Sequence, residues 1–205
     1  MHLKAVLFDV YETLLTGTRL QDREPGLRQV LSHFGLDYPS SESLCDRLDR
    51  EIRIENQQSQ EPHPEVDIRE IWKRIFPSLD RPDAFSLAAE EAIHPVRLKA
   101  GARDLVVDFH KQGRLLGIVS NAQAYTRILL EKHLGEAWSH FTPDLMIFSY
   151  EHRTSKPGRA IFQIALDRLK THGIGPHETL MVGDSIVNDI EPAQRLGMQA
   201  RLVAR

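Results

Sequence analysis

The sequence predicts an α/β protein built on a doubly wound parallel sheet, with a helical domain inserted after the first strand. Short apolar runs without strict alternation are typical of parallel strands that are covered on both faces. After residue 100 such runs alternate with amphipathic helical patterns, and this alternation indicates a doubly wound sheet. Between the first run and residue 100 the periodicity is helical, which indicates the insertion.

The α/β part contains strand and helix patterns in regular order. The predicted strands are 4–10, 114–120, 144–149, 179–184 and 199–204. The predicted helices are 102–112, 123–134, 158–172 and 189–196. Gly173 and Gly197 are expected to end the last two helices, and Asn188 is expected to cap the start of the last one. This order predicts a Rossmann-like core.

Residues 16–97 have a different character from the rest of the chain. They contain amphipathic stretches separated by proline-containing breaks, and no confident strand; the stretches are 25–35, 40–58, 67–76 and 83–93. We therefore expect two domains, an α/β core domain of residues 1–15 and 98–205 and a helical domain of residues 16–97.

The composition excludes several classes of protein. The 205 residues are 41% hydrophobic, and a net charge of −3 provides no basic surface for nucleic acid. The one cysteine, Cys45, permits no intrachain disulfide. No stretch approaches about 18 uninterrupted apolar residues, and the N-terminal stretch lacks the features of a signal peptide. We therefore expect a cytoplasmic monomer or homodimer that binds neither membranes nor nucleic acids.

Polar side chains stand at or just beyond four of the five predicted strand ends. They are Asp9, Ser120 with Asn121, the loop 149–156 with Lys156, and Asp184. In an open parallel sheet, ligands bind outside the carboxyl ends of the strands. The coincidence predicts a ligand site at this edge of the sheet.

Each of these residues also has an ordinary structural interpretation. Asp9 alone could be a helix cap or turn former, although a buried carboxylate requires a cation or hydrogen bonds to compensate for its desolvation. Asn121 could cap the next helix or, like the Ser120 hydroxyl, bind an anionic oxygen. Lys156 could be a solvated surface residue, or a fixed cation that keeps Asp9 ionised and balances a transferred group.

Two further acids, Asp184 and Asp189, lie in a loop that leads into a helix. If they converged on Asp9, the three carboxylates would repel one another unless a divalent cation joined them. Oxygen-only ligands favour Mg²⁺ over zinc. Asp189 has an alternative role as an acid that complements the dipole at a helix N-terminus.

Four segments carry a family resemblance. In chain order they read "FDVYETLL", "IVSNA", "SKPGRAIFQIAL" and "MVGDSIVNDIEPAQRLGM". They resemble the four motifs of the haloacid dehalogenase-like hydrolase superfamily, and the match covers the predicted core nearly throughout. The third and fourth motifs, in this order and spacing, are the ones that are highly specific for this superfamily. Residues 16–97 resemble the superfamily's small helical cap, which is inserted just after the first motif.

The resemblance implies a covalent mechanism through an aspartyl intermediate that water then hydrolyses. Asp9 would be the nucleophile, and Ser120 and Lys156 would hold the transferred group. Asn121 is a further candidate for binding the substrate, a small anionic molecule.

In the phosphatase branch of the superfamily the resemblance also implies a metal. Asp184 would bind Mg²⁺ together with Asp9 and the backbone carbonyl of Tyr11. Asp189 would support the metal shell, and Thr13 would help to fix the loop after the first strand. The implied activity is Mg²⁺-dependent hydrolysis of a small phosphorylated metabolite.

Tyr11 departs from the phosphatase pattern. That pattern has an aspartate here, which protonates the leaving alkoxide and then activates the water. A phenol with a pKa of about 10 stays protonated at neutral pH, so it donates a hydrogen bond but does not serve readily as a base. A phosphatase with tyrosine here is expected to be slow or to favour good leaving groups. Glu12 could replace the missing acid, but neighbouring side chains in an extended segment point to opposite sides.

The second hypothesis is a metal-free 2-haloacid dehalogenase, because "DVYETL" is similar to the first motif of those enzymes. Halide is a weak base that leaves without protonation, so Tyr11 suits this chemistry. Three features oppose it. Asp184 stands where dehalogenases have neutral residues, and Phe162 stands where they have a tyrosine. The stretch that aligns with their cap arginine contains no arginine, although Arg28 and Arg47 lie nearby.

A third hypothesis, from a different class, is a catalytically weak member that binds a ligand or a partner protein. The missing general acid at Tyr11 is its only support. The sequence thus combines a first motif of dehalogenase type with a fourth motif of phosphatase type, and we rank the phosphatase first because Asp184 builds a cation site.

Overall fold

The computed structural model describes residues 3–204, and the chain divides into two compact units. The first, which we call the core unit, contains the chain up to Thr16, then Glu61–Glu65, and then the chain from Arg97. The second, the cap unit, contains Gly17–Gln60 and Val66–Val96. The outer bounds of the cap unit, Gly17 and Val96, each lie one residue inside the predicted bounds of 16 and 97. The segment Glu61–Glu65, which we call the 61–65 segment, differs from the prediction because it groups with the core unit.

The core unit is built on a parallel sheet with the order β5-β4-β1-β6-β7, in agreement with the predicted doubly wound fold class. Its strands are β1 (Ala5–Phe8), β4 (Leu115–Ser120), β5 (Phe141–Phe148), β6 (Thr179–Gly183) and β7 (Gln199–Leu202), while β2 (Leu15–Gly17) and β3 (Val96–Leu98) form a separate pair. Each of the five predicted strands is present, and no end differs from its predicted position by more than three residues.

Strand β1 lies at the centre of the sheet, and all four of its residues are buried. Its last residue, Phe8, pairs with Ile118 of β4 on one side and with Val182 of β6 on the other. The registers therefore bring the carboxyl ends of three strands together. The residues that follow these ends carry the polar groups singled out in the sequence.

The helices of the core unit flank its sheet, and four further helices form the cap unit. They are α1 (Glu24–His33), α2 (Leu44–Gln58), α3 (Ile68–Ile75), α4 (Pro82–Ile93), α5 (Ala102–Lys111), α6 (Tyr125–Leu134), α7 (Ser149–His152), α8 (Arg159–Thr171) and α9 (Glu191–Arg195), with 3₁₀ turns at Gly135–His140 and Pro176–Glu178 and a π-helical turn at Ile186–Ile190. Among residues 3–204, none of these helices has the length and apolar character needed to cross a membrane.

The predicted helix 189–196 differs at its start. It begins as the π-helical turn and continues as α9, and Asn188 lies inside that turn, so its predicted capping role is wrong. Ser185 caps the turn instead, because its hydroxyl oxygen accepts the Asn188 N–H at 3.1 Å. The predicted ends at Gly173 and Gly197 agree with the structure, where both glycines have positive φ.

The cap unit packs the apolar stripes of α1 to α4 around its own core. Trp72 and Phe85 lie at the centre with ring centroids 5.0 Å apart in an edge-to-face arrangement. The four amphipathic stretches predicted from the sequence coincide with these helices. The sequence missed β2 and β3 at the margins of this region, because three-residue strands carry too few positions to show a periodicity.

A carboxylate organises the start of α2 within the cap unit. Glu24 accepts hydrogen bonds from the Ser43 hydroxyl at 2.9 Å and from the backbone N–H groups of Cys45 at 3.1 Å and Leu44 at 3.2 Å. Burial alone would raise the pKa of Glu24, but these donors outweigh burial and lower the pKa to about 2. The ionised form therefore stabilises the folded cap unit.

Replacement of this carboxylate should destabilise the protein in a pH-dependent way. We expect Glu24→Gln to lower the free energy of unfolding by about 2 kcal/mol at pH 7, as judged by urea unfolding. Because the pKa of Glu24 is lower in the folded state, its carboxylate stabilises the fold fully above the unfolded pKa of about 4.3, and this stabilisation is lost as the pH falls towards the folded pKa. The difference in unfolding free energy between the wild type and Glu24→Gln should therefore be smaller at about pH 3. The exposed Glu131→Gln serves as the control, with a change within about 0.5 kcal/mol. A pH-independent difference would contradict this interpretation.

Candidate active site

Asp9 follows the central strand β1 and is only 7% exposed. Its backbone N–H donates to the Val182 carbonyl at 2.9 Å, which extends the pairing with β6 by one residue. Its carboxylate accepts hydrogen bonds from the Ser120 hydroxyl at 3.0 Å and from Lys156 Nζ at 2.6 Å. The Thr13 hydroxyl is 3.5 Å from the other carboxylate oxygen, at the limit of hydrogen bonding. Asp9 is thus a buried carboxylate whose charge is compensated.

Lys156 bridges two carboxylates. Its Nζ lies 2.6 Å from Asp9 Oδ1 and 2.5 Å from Asp189 Oδ1, and Lys156 and Asp189 are 5% and 1% exposed. Burial alone would lower the pKa of Lys156, but the two carboxylates outweigh it and the pKa is raised. Lys156 is therefore a fixed cation, and the interpretation as a solvated surface lysine is excluded.

Asn121 holds the backbone on both sides of Lys156. The Asn121 Nδ2 donates to the Lys156 carbonyl at 2.9 Å, and the Lys156 N–H donates to Asn121 Oδ1 at 2.7 Å. The sequence suggested that Asn121 caps a helix or binds an anion. The two hydrogen bonds to Lys156 give it a different role, which depends on a partner 35 positions away in the chain. It fixes the loop that presents the ammonium group.

The loop after β6 places Asp189 against the strand end. The Ser185 N–H donates to Asp189 Oδ2 at 3.0 Å. A Cβ atom at Gly183 would lie 2.4 Å from the Asp189 carboxylate, so a residue with a side chain there would displace it. Burial raises the pKa of Asp189 and the charge of Asp9 adds to this, while Lys156 and the Ser185 N–H oppose it.

The three predicted acids come together. Asp9, Asp184 and Asp189 each contribute a carboxylate oxygen to a group whose members lie within 4.8 Å of one another. Three carboxylates this close together repel one another when they are ionised, and Lys156 lies within hydrogen-bonding distance of two of them. A divalent cation would relieve that repulsion, and an all-oxygen donor set is the kind that Mg²⁺ prefers. The residues present therefore fit such an ion.

A cavity of about 230 Å³ opens at this cluster. Its lining combines the carboxylates with neutral polar groups, and consists of Asp9, Tyr11, Glu12, Asn121, Lys156, Asp184, Ser185, Asn188 and Asp189. Of the predicted site residues, Ser120 alone is not among the lining residues; it lies behind Asp9, fully buried.

The hydroxyl of Tyr11 lies 3.0 Å from the Thr126 Oγ1 on α6, within hydrogen-bonding distance. Glu12 has a φ of 58°, a left-handed conformation that favours glycine, and its carboxylate accepts a hydrogen bond from the Thr16 hydroxyl at 2.8 Å. Lys99 donates to the Glu12 carbonyl and so fixes this turn. The Tyr11 hydroxyl thus has a hydrogen-bond partner on α6, and the Glu12 carboxylate, the candidate replacement for the missing acid, has one in the loop.

Several residues around the site carry no signal in the sequence. Ser185 and Asn188 line the cavity, but the sequence did not single out Ser185 and indicated for Asn188 only a helix cap. Lys99 and Glu65 lie in stretches without a motif, and their partners are distant in sequence. Such residues are found only when the chain is folded.

The features that oppose a dehalogenase have structural counterparts. Phe162 is fully buried in the apolar core beside the sheet. In the cap unit, Arg28 pairs with Glu24 at 2.9 Å and Arg47 pairs with Glu51 at 3.0 Å. Both candidate cap arginines are therefore engaged by glutamates on their own helices.

The sheet order, the aspartate after its central strand, the buried lysine and the two acids after β6 form the arrangement that the four sequence motifs led us to expect. A family model described as haloacid dehalogenase-like hydrolase matches residues 3–197. The chain belongs to this family, as its four motifs predicted.

Comparisons with individual proteins agree with the family. A glyceraldehyde 3-phosphate phosphatase of Methanopyrus kandleri is 29% identical over 203 residues, which cover 96% of this chain and 82% of the relative. Another curated relative, a hydrolase of Schizosaccharomyces pombe, is matched over about half of its length, 49%.

Solved structures show the same fold. A HAD phosphatase from Thermococcus onnurineus is similar with a TM-score of 0.63 and 25% identity, covering 99% of this chain and 87% of that one. A dehalogenase solved with an intermediate complex is similar with a TM-score of 0.58 and 18% identity, covering 99% and 85%, and this likeness concerns the fold alone.

Removal of the bridging ammonium should destabilise the core unit. We expect Lys156→Met to lower the free energy of unfolding by about 3–5 kcal/mol in urea, because two carboxylates then stay buried without their cation. The double variant Lys156→Met/Asp189→Asn should recover part of the loss, since it removes one uncompensated charge. The exposed Lys111→Met is the control and should change stability by less than about 0.5 kcal/mol. A double variant less stable than Lys156→Met would contradict this account.

Proposed function

We propose that this hydrolase is a Mg²⁺-dependent phosphatase of a small phosphorylated metabolite, and that Asp9 is its nucleophile. The observation that carries the proposal is the convergence of Asp9, Asp184 and Asp189 with one lysine at a single cavity. A metal-free site has no need of three converging carboxylates, whereas a Mg²⁺ site is built from oxygen ligands of this kind.

Similarity supports the phosphoryl substrate class. The archaeal relative that matches nearly the whole chain is a phosphatase of glyceraldehyde 3-phosphate. A cavity of about 230 Å³ suits a substrate of similar, few-carbon size.

The proposed chemistry uses Asp9 to split the reaction into two displacements. In the first, a carboxylate oxygen of Asp9 bonds to phosphorus, and the bond from phosphorus to the ester oxygen breaks and releases an alkoxide or phenoxide, which takes a proton from solvent. In the second, water attacks the phosphorus and loses a proton to solvent, the bond from phosphorus to the Asp9 oxygen breaks, inorganic phosphate leaves, and the Asp9 carboxylate is restored. Lys156 and Ser120 orient Asp9 through their hydrogen bonds to its carboxylate, and the Lys156 ammonium helps to balance the negative charge of the transferred group.

Mg²⁺ held by Asp9, Asp184 and Asp189, together with the backbone carbonyl of Tyr11, would supply charge neutralisation for the phosphoryl oxygens. The acids at this position would otherwise repel a phosphate dianion that enters the cavity. Asn121 would help the site indirectly, by holding the Lys156 backbone, as well as by offering its amide to the cavity.

A second candidate, a metal-free 2-haloacid dehalogenase, is favoured by Tyr11. In that reaction Asp9 would displace halide from carbon, and no proton would be needed by the leaving group. The third candidate, a ligand-binding member with weak catalysis, also rests on Tyr11. Direct assays separate the three.

The activity itself is tested with purified protein on p-nitrophenyl phosphate and on 2-chloropropionate, each with Mg²⁺ and with EDTA. We expect Mg²⁺-dependent phosphate release that EDTA abolishes. Asp9→Asn should reduce it by at least about 10³-fold, since the nucleophile is lost. Asp80→Asn, which changes an exposed aspartate of the cap unit, is the matched control and should retain full activity. Halide release that EDTA leaves intact would establish the dehalogenase instead, and absence of both activities would favour the binding protein.

Tyr11 should set the leaving-group preference. We expect kcat/KM to be far higher for aryl phosphates than for alkyl phosphates, because no group protonates the leaving oxygen. Tyr11→Asp should raise kcat/KM for glycerol 1-phosphate by about 10-fold or more, within the range of general acid–base help, and raise it less for p-nitrophenyl phosphate. Tyr11→Phe is the control and should change the ratio of the two substrates little. A large, selective loss on the alkyl ester in Tyr11→Phe would instead make the phenol a proton donor.

A further inference from the structure

We propose that Glu65 is a positioning residue of this active site: it holds together the two loops that carry Asn121 and Lys156. The kinetic part of this inference rests on the proposed phosphatase function, and its structural part does not. Glu65 belongs to the 61–65 segment, which lies between α2 and α3 in the chain but groups with the core unit.

The backbone of the 61–65 segment pairs with the loop that precedes Lys156. The Ser155 N–H donates to the His63 carbonyl at 2.8 Å, and the Glu65 N–H donates to the Arg153 carbonyl at 3.2 Å. Between these bonds, Pro64 and Thr154 form an antiparallel bridge. The segment therefore acts as a short strand along the loop.

The side chain of Glu65 reaches a second loop. One of its oxygens accepts a hydrogen bond from the Ser149 hydroxyl at 2.7 Å, and the other accepts one from Gln123 Nε2 at 3.2 Å. Ser149 is fully buried, and its oxygen in turn accepts the Ala122 N–H at 2.9 Å. The carboxylate thus connects the segment to the residues that directly follow Asn121.

The two loops meet at Asn121 and Lys156, through the reciprocal pair already described. A shift of either loop would alter that pair, and with it the position of the ammonium that lies 2.6 Å from Asp9. Displacement by about 1 Å at a catalytic group can cost about 10²-fold in rate. Glu65 is not among the residues that line the cavity, and the hydrogen bonds described above connect it to the site through Lys156 and Asn121.

The start of α8 is shaped for this close approach. A Cβ atom at Gly158 would lie 2.7 Å from the Ser155 carbonyl oxygen and 3.1 Å from His63 Cδ2. A side chain there would clash with the Ser155 backbone and crowd the His63 side chain of the 61–65 segment. Gly158 supports the same placement independently of the Glu65 hydrogen bonds.

Two measurements on Glu65→Ala test the proposal. We expect kcat to fall by about tenfold or more while KM changes by less than about threefold, since the loss concerns orientation rather than substrate contact. We also expect amide hydrogen exchange at Ala122, Ser155 and Lys156 to accelerate by at least about tenfold, with exchange in β1 unchanged. The unchanged β1 amides distinguish a local effect from global unfolding.

Glu65→Gln is the rescue variant. Its amide oxygen can accept the Ser149 hydrogen bond, and the Gln123 amide can turn to present its oxygen to the new NH₂ group. We expect both kcat and hydrogen exchange to remain within about threefold of the wild type. Glu131→Ala, an exposed glutamate on α6, is the control for loss of one acidic side chain and should match the wild type.

The proposal would be overturned if the amides of Ala122, Ser155 and Lys156 in Glu65→Ala exchanged hydrogen at the wild-type rate. It would also be overturned if the variant raised KM and left kcat unchanged. A Glu65→Gln variant as impaired as Glu65→Ala would also overturn it, because charge rather than hydrogen bonding would then be responsible. If the wild type hydrolyses no phosphate ester, the proposed function fails, and the exchange data alone decide whether Glu65 positions the loops.

Discussion

The buried ammonium of Lys156 is the interaction on which the site depends. Two carboxylates that are almost inaccessible to solvent share this one cation, Asp9 on one side and Asp189 on the other. A buried charge of this kind persists only where its partners and hydrogen bonds are in place. The loop before α8, the end of β1 and the turn after β6 must therefore meet within hydrogen-bonding distance, and Asn121 and Gly183 have roles that follow from this requirement.

The same cluster brings a third carboxylate, Asp184, close to Asp9 and Asp189, and this convergence connects the structure with the proposed function. Three carboxylates would repel a phosphate dianion unless a divalent cation accompanied it. A dehalogenase acts on a substrate with a single carboxylate and has no need of Asp184. The fourth motif therefore carries more weight than Tyr11. Tyr11 only removes a general acid from the site, and it adds no group that opposes phosphoryl transfer.

Much of the fold and part of the site could be predicted from the sequence, and the reasons are physical. The strands of the sheet and the longer helices have enough positions for a periodicity, and Asp9, Ser120 and Asp184 stand out because polar residues are rare at buried strand ends. The two three-residue strands and the π-helical turn are too short for such a pattern. Asn121 and Glu65 acquire their roles from partners 35 and 84 positions away in the chain, and no local pattern encodes those distances.

Covalent attachment at Asp9 is the most direct test of the account. Because Tyr11 cannot readily activate water, hydrolysis of an acyl phosphate should be the slower displacement with an activated aryl ester, and the intermediate should accumulate. The protein would be quenched in acid during turnover of p-nitrophenyl phosphate, reduced with borohydride, digested and analysed by mass spectrometry. We expect a burst of nitrophenol and conversion of Asp9 to homoserine. Turnover that leaves Asp9 unmodified, or modification at another residue, would contradict the account.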